Sequence, residues 1–271
     1  MRTAARPARA DRATAQPSSR ADSGPGAAAD TTVPGPVATA TAATFGALSR
    51  LRGARIFHPE GVGYSGVLRV ERSQPGYAGT PLLGRPGEHR ALFRLSRAVG
   101  LPEPLPDVLG LAVRLVDVHG QGRHQDFLLV TSADGPLLHH LLLPGLGGFF
   151  GQSFSSLLLY RFAGKLRLVG ATAADGPHSG RDRGTLAEVE RAAERGELAF
   201  DLAVAPVLGR WATIGALRAG ERLPDTETEQ LAFTPWNTGG GIRPVGPLMG
   251  LRRAAYRGSQ EARGLDRAQI P

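Results

Sequence analysis

Gly61-Val-Gly-Tyr-Ser-Gly66-Val-Leu-Arg-Val70 can be read in two ways, and the choice decides the fold. Its glycines fit G-x-G-x-x-G, the phosphate-binding turn of dinucleotide domains. That turn needs a strand before it and a helix after it. Here His58-Pro-Glu precedes the glycines, and the strand-like run Gly66–Val70 follows them. The nucleotide reading therefore fails. The glycines instead allow close backbone packing beside the turn at His58.

Further strand-like runs follow at short intervals, over 90–95, 110–116, 126–131, 158–169 and 199–207, separated by turn residues. This spacing predicts an antiparallel barrel or a sandwich. One helix is well marked over 186–195, where Thr185 and Glu188 form a capping box and Gly196 supplies the stop. A short helix over 44–51 and a last helix over 248–263 complete the elements. Residues 1–44 are mostly Ala, Arg, Pro, Thr, Ser and Gly, too poor in large apolar side chains to offset the entropy of ordering. They are read as a disordered tail, with the folded domain spanning 45–271.

The chain has 271 residues with 37 Gly and 21 Pro, which fits one glycine-interrupted domain rather than long helices. It has no cysteine, which removes disulfides, thiolate haem ligation, zinc–thiolate sites and iron–sulfur clusters. Net charge is +8, yet Lys165 is the single lysine and the arginines are scattered among acids with no long basic run. Such a bias points to base composition rather than to nucleic acid as a partner. The richest apolar run, 137–160, is broken by histidines, Pro144 and glycines, so no integral membrane segment is expected. No apolar signal core follows the N-terminus. A soluble, cytoplasmic protein is the expectation.

Several polar residues invite chemistry that their context does not support. His139 and His140 are adjacent, so in a strand they would point to opposite faces and could not share an ion. They are read as loop or edge residues. His119, His124 and His178 sit in polar or Gly-rich turns and are read as solvated, and His89 has no evident partner. Ser153 and Ser155 lack triad partners, and no Gly-x-Ser-x-Gly is present.

Leu251-Arg-Arg-Ala-Ala-Tyr256 is different. On a helix, Arg252 lies one turn before Tyr256 on the same face. A guanidinium there lowers the phenol pKa and favours phenolate, the form in which tyrosine binds ferric iron. Far upstream, Arg55-Ile-Phe-His58 offers an imidazole as an acid–base group.

The joint pattern resembles the haem catalase family. Arg55 to Gly66 is similar to the family's R-x-x-H-x-x-G-x-G-x-x-G, which carries the distal histidine. Phe93-Arg-Leu-Ser96 resembles its V-R-F-S strand, and Pro106 to Arg114 resembles R-D-P-R-G-F-A-V-K. Glu229-Gln-Leu-Ala-Phe-Thr-Pro-Trp-Asn-Thr-Gly-Gly-Gly-Ile242 resembles E-Q-x-A-F-x-P-x-N-x-x-P-G-I, and Arg252-x-x-x-Tyr256 matches the proximal R-x-x-x-Y. The matches keep chain order over roughly 50–132 and 229–263, whereas 133–228 has no clear counterpart.

The resemblance implies an α+β fold: a catalase-like antiparallel β-barrel with peripheral helices and a C-terminal helix carrying the proximal Tyr256. It implies haem b (iron protoporphyrin IX) with Tyr256 as axial ligand and Arg252 keeping it ionised. His58 would be the distal acid–base residue, with Ser96 orienting its ring. Arg55, Arg94 and Arg263 would bind the propionates. The departures are as informative. Val130, followed by Thr131, stands where the family has the asparagine that positions peroxide. Thr131 therefore joins His58 and Ser96 as a catalytic candidate, being the one hydroxyl near the lost amide, while Phe57 and Val130 would line the haem. Leu143 replaces a phenylalanine that stacks on haem, Gln260 departs near Tyr256, and the helical C-terminal domain of large catalases has no counterpart.

The expected activity is therefore that of a hydroperoxide-reactive, peroxidase-like oxidoreductase with weak catalase activity. Loss of one positioning hydrogen bond costs about 10²–10³ in rate. The substrate is a peroxide, with the apolar distal residues favouring an organic hydroperoxide. Other readings are a hydroperoxide isomerase or lyase of the allene oxide synthase type, a non-enzymatic haem-binding scaffold, and a barrel with no haem. Catalase relatives usually assemble as oligomers, so the resemblance also admits a homo-oligomer.

Overall fold

The computed structural model describes residues 60–72, 75–77, 79–98, 107–136, 138–139, 141–146, 148–174 and 185–245. The expected tail at 1–44 and the helices at 44–51 and 248–263 lie outside the described residues.

Among the described residues there are ten strands: β1 (Gly61–Val70), β2 (Gly87–Arg97), β3 (Leu109–Leu115), β4 (Gln125–Ser132), β5 (Ser153–Ser155), β6 (Leu159–Phe162), β7 (Lys165–Ala173), β8 (Ala199–Ala205), β9 (Ala212–Arg222) and β10 (Ile242–Val245). Three short helices join them: α1 (Pro81–Gly84), α2 (Leu186–Glu194) and α3 (Asp225–Gln230). The strands pair in the order β7-β5-β4-β3-β2-β1-β9-β8, and β8 pairs back onto β7. Every one of these pairings is antiparallel, so the product is a closed eight-stranded barrel. Of the two architectures open from the sequence, the barrel is the one formed. β6 and β10 extend from the start of β7 as a side flap.

Strand alternation decides what faces inward. Tyr64, Phe93, Val113 and Phe127 are successive register partners across β1 to β4, and all four are buried. Thr131, Phe154, Ala171 and Leu202 make a second inward row across β4, β5, β7 and β8. Inside, Tyr64 stacks on Phe93 at 5.6 Å and Phe154 meets Phe200 edge-on at 6.1 Å. Each such side chain, fully buried, contributes about 1.5–3 kcal/mol. The ladder also shows why the fingerprint reading fails. Gly61 to Gly66 belong to β1, and a Cβ at Gly66 would lie 2.5 Å from the Arg218 carbonyl oxygen of β9.

α2 forms as its caps predict. Thr185 accepts from the Glu188 amide and the Glu188 carboxylate accepts from the Thr185 amide. Gly196, at φ +70°, ends it, with Gly196 N–H to Ala193 O and Glu197 N–H to Ala192 O. Its buried Val189 and Ala192 face the barrel.

On the outer face, one ion pair ties a distant segment to the strands. Asp126 of β4 is fully buried and accepts two bonds from Arg114 of β3, at 2.8 and 2.7 Å. It also accepts from the Thr234 amide at 2.9 Å and the Asn237 side chain at 3.1 Å. Arg114 donates to the Ala232 carbonyl and lies 5.3 Å from the Phe233 ring centroid. Removing one partner of such a pair leaves the other uncompensated. Asp126→Ala is expected to lower the unfolding free energy in urea by about 3–5 kcal/mol, and a loss below about 1 kcal/mol would show that the cluster is dispensable.

Candidate functional site

Three of the stretches that carry the resemblance meet on the outer face of β1 to β4. Gly61, Ser96, Gly110, Val130 and Ser155 are successive register partners across five strands, so their side chains share one row. The next row runs Gly63, Arg94, Ala112, Leu128, and the one beyond it holds Leu92, Arg114 and Asp126. The first two rows are built largely from Gly, Ala and Ser. At about 4.8 Å per strand, the Gly61-to-Ser155 row is about 19 Å long. It continues to Gly170, where Trp211 closes the end, since a Cβ there would lie 2.6 Å from the indole.

Arg94 and Ser96 lie on this face of β2. Ser96 is buried, and the Arg94 guanidinium packs over Gly61, 2.8 Å from where a Cβ would stand. Val130 lies on the same face, two strands away. Thr131 does not. It points into the barrel, fully buried, where its hydroxyl accepts from the Leu109 amide at 3.2 Å and donates to the Leu143 carbonyl at 2.7 Å. Val130 and Thr131 are thus separated by the pleat. Leu143 sits on the β4–β5 connection, partly exposed and anchored to Thr131 through its own amide as well. Arg55, Phe57, His58, Arg252, Tyr256, Gln260 and Arg263 lie outside the described residues.

Tyr64, by contrast, has a phenol whose chemistry is unlike that of a metal ligand. Burial, reinforced by Glu190, pushes Tyr64 up to about 12, against a smaller opposing effect of Arg222. Its phenol therefore stays protonated at neutral pH. Among the described residues no group of three or more His, Asp or Glu is placed to hold a metal ion.

His139 lies in a connecting loop, as its sequence reading has it, whereas His140 and His178 lie outside the described residues. His139 is buried, bonded through Nε2 to the Gly209 carbonyl at 2.7 Å and packed 4.4 Å from the Trp211 ring. His124 is part-exposed, with Nδ1 accepting from the Asp117 amide at 3.0 Å. His119 is not a solvated turn residue. Its Nε2 meets Gln125 Oε1 at 3.2 Å, and its ring packs on Gly239 and Gly240. Gln125 also accepts from the Thr238 hydroxyl at 3.1 Å, so this end of the barrel is tied to the same distant segment that Asp126 holds. Sequence could not find this, because the burial comes from glycines more than a hundred residues away.

Burial lowers the pKa of both His89 and His119, and for His89 the neighbouring His119 adds to the effect. The unfolded chain therefore binds more protons than the folded one below the ordinary histidine pKa of about 6.5. Stability from this pair is full above that pH and is lost as pH falls through it. His89→Asn/His119→Asn should flatten the decline in unfolding free energy between pH 7 and 5, measured in urea; an unchanged slope would contradict the assignment.

No protein-family model matches the chain, and no curated protein sequence matches it.

Proposed function

We propose that the chain is a haem-dependent, hydroperoxide-reactive oxidoreductase of catalase-like build. The observation that supports it best is the shared outer face of Arg94, Ser96 and Val130 on a floor of Gly, Ala and Ser. A floor built largely of Gly, Ala and Ser suits a planar macrocycle, and the Arg94 guanidinium beside it suits a propionate. His58 precedes Gly61 by three residues, so covalent geometry keeps their α-carbons within about 11 Å. On this reading Ser96, the register partner of Gly61, would orient that imidazole.

On this reading Tyr256 would be the axial ligand, Arg252 would hold its phenol ionised, and Arg55, Arg94 and Arg263 would take the propionates. Haem held by these residues would supply redox-active iron. His58 removes the proton from the hydroperoxide and returns it to the leaving oxygen, which departs as an alcohol or water. Phe57 and Val130 would make the distal side apolar, and Thr131 is left out of the catalytic set because its hydroxyl faces inward. With no amide to position hydrogen peroxide, an organic hydroperoxide is the preferred substrate, with an external donor returning the two electrons.

Two measurements test this. Protein expressed with a haem precursor should show a high-spin ferric tyrosinate absorption spectrum that Tyr256→Phe abolishes or alters. Well-folded protein that takes up no haem would sink the reading. In steady-state assays, cumene hydroperoxide should be turned over faster than hydrogen peroxide. Val130→Asn should raise hydrogen peroxide dismutation by at least about tenfold, within the range that one positioning hydrogen bond is worth. Dismutation already at catalase-like rates in the wild type would contradict the role given to Val130.

A further inference from the structure

Among the described residues, six large apolar side chains are exposed, and five of them stand on two adjoining connections. Leu138, Leu141, Leu143 and Leu146 lie on the β4–β5 connection, and Leu208 lies on the β8–β9 connection. The two are stitched together by the Gly209 amide bonding to the Pro136 carbonyl and by His139 bonding to the Gly209 carbonyl. This is a clustered apolar surface rather than a scatter of single residues. Beside it opens a cavity of about 340 Å³. Leu143 and Phe150 form apolar wall there, and Ser132, Ser153 and Thr172 supply hydroxyls.

The charges decide what such a cavity accepts. From Gly135 to Tyr160 there is no Asp, Glu, Lys or Arg. The one charged residue on the lining is Asp134, whose side chain is exposed and accepts from the Gly135 amide. A ligand carboxylate would meet an anion and no cation. An uncharged hydroxyl or hydroperoxyl group would meet three serine or threonine hydroxyls. Its hydrocarbon tail would meet Leu143 and Phe150. Ser132 stands two residues along β4 from Val130 on the same outer face, about 7 Å away.

We propose that this cavity and its leucine rim bind a single uncharged amphiphile. Its hydroxyl or hydroperoxyl end lies among Ser132, Ser153 and Thr172, and its alkyl chain lies over Leu143 and Phe150 and leaves toward the exposed leucines of the same connection. The substrate class that follows is a neutral alkyl hydroperoxide, and this rests on the proposed function only for the identity of the reactive group. Binding itself needs no haem.

The test uses the full chain and 1-decanol against decanoate, with affinity read by isothermal titration calorimetry below the micellar range. Saturable decanol binding is expected, with decanoate at least about tenfold weaker, a gap worth 1.4 kcal/mol. Leu143→Asp, at a part-exposed position, should weaken decanol by a similar factor while the far-ultraviolet circular dichroism stays unchanged. Asp134→Asn should narrow the gap by strengthening decanoate. Absent saturable binding, equal affinities for the two ligands, or an unaffected Leu143→Asp variant would overturn the proposal. So would co-sedimentation with phosphatidylcholine vesicles in the absence of decanol binding, because the leucines would then serve a bilayer. Failure here with a tyrosinate haem spectrum intact would remove this site alone.

Discussion

Closure of the sheet through the β7–β8 pairing is the constraint on which the rest depends. Without it β7 and β8 would each have an open edge, and the two rows of aromatic and aliphatic side chains would have no enclosed space to fill. With it, every strand acquires a fixed inner and outer side. The register then leaves no freedom at the residues of interest. Phe93 and Leu95 are inside, so Arg94 and Ser96 are outside, and Val130 rather than Thr131 joins them. A slip of one residue in β4 would exchange those two side chains and with them the chemistry of the face.

The second organising element is the Arg114–Asp126 pair. A fully buried carboxylate is costly unless its lone pairs are used, and Asp126 uses them on Arg114, the Thr234 amide and Asn237. The result couples β3 and β4 to a segment more than a hundred residues later. Gln125, on the opposite side of the strand, repeats the tie through Thr238 and His119. The alternation of one strand thus holds 234–238 from both faces. The stretches at 107–114, 126–131 and 229–242, noticed separately in the sequence, are parts of one packed unit.

The strands of the first half were legible because their alternation is clean and their turns are glycine- or proline-rich. β9 was not, since Gly215, Gly220 and the charged 218–222 stretch interrupt its apolar pattern. β5, only three residues long, was hidden in a run of Leu, Gly and Phe whose burial depends on tertiary packing. The expected strand over 158–169 is instead a hairpin, with Ala163 and Gly164 at positive φ between β6 and β7. Of the site, Arg94 and Ser96 were legible as one face from their spacing of two. The Val130 or Thr131 choice was not, because it depends on register with β3 and β5. His119 was misjudged, and the burial of His139 within its expected loop was not foreseen, for one reason: local composition says nothing about a glycine or a tryptophan that arrives from another part of the chain.

The central claim is that the Ser96–Gly110–Val130 row is the face against which haem lies. Backbone amide NMR of the full chain, compared with and without ferric haem, tests it directly through paramagnetic broadening. The account predicts loss of the Gly61, Ser96, Gly110 and Val130 amide signals, with the central part of β8 retained. Haem uptake that leaves those four signals sharp, or that broadens signals centred on β8 and β9, would contradict it.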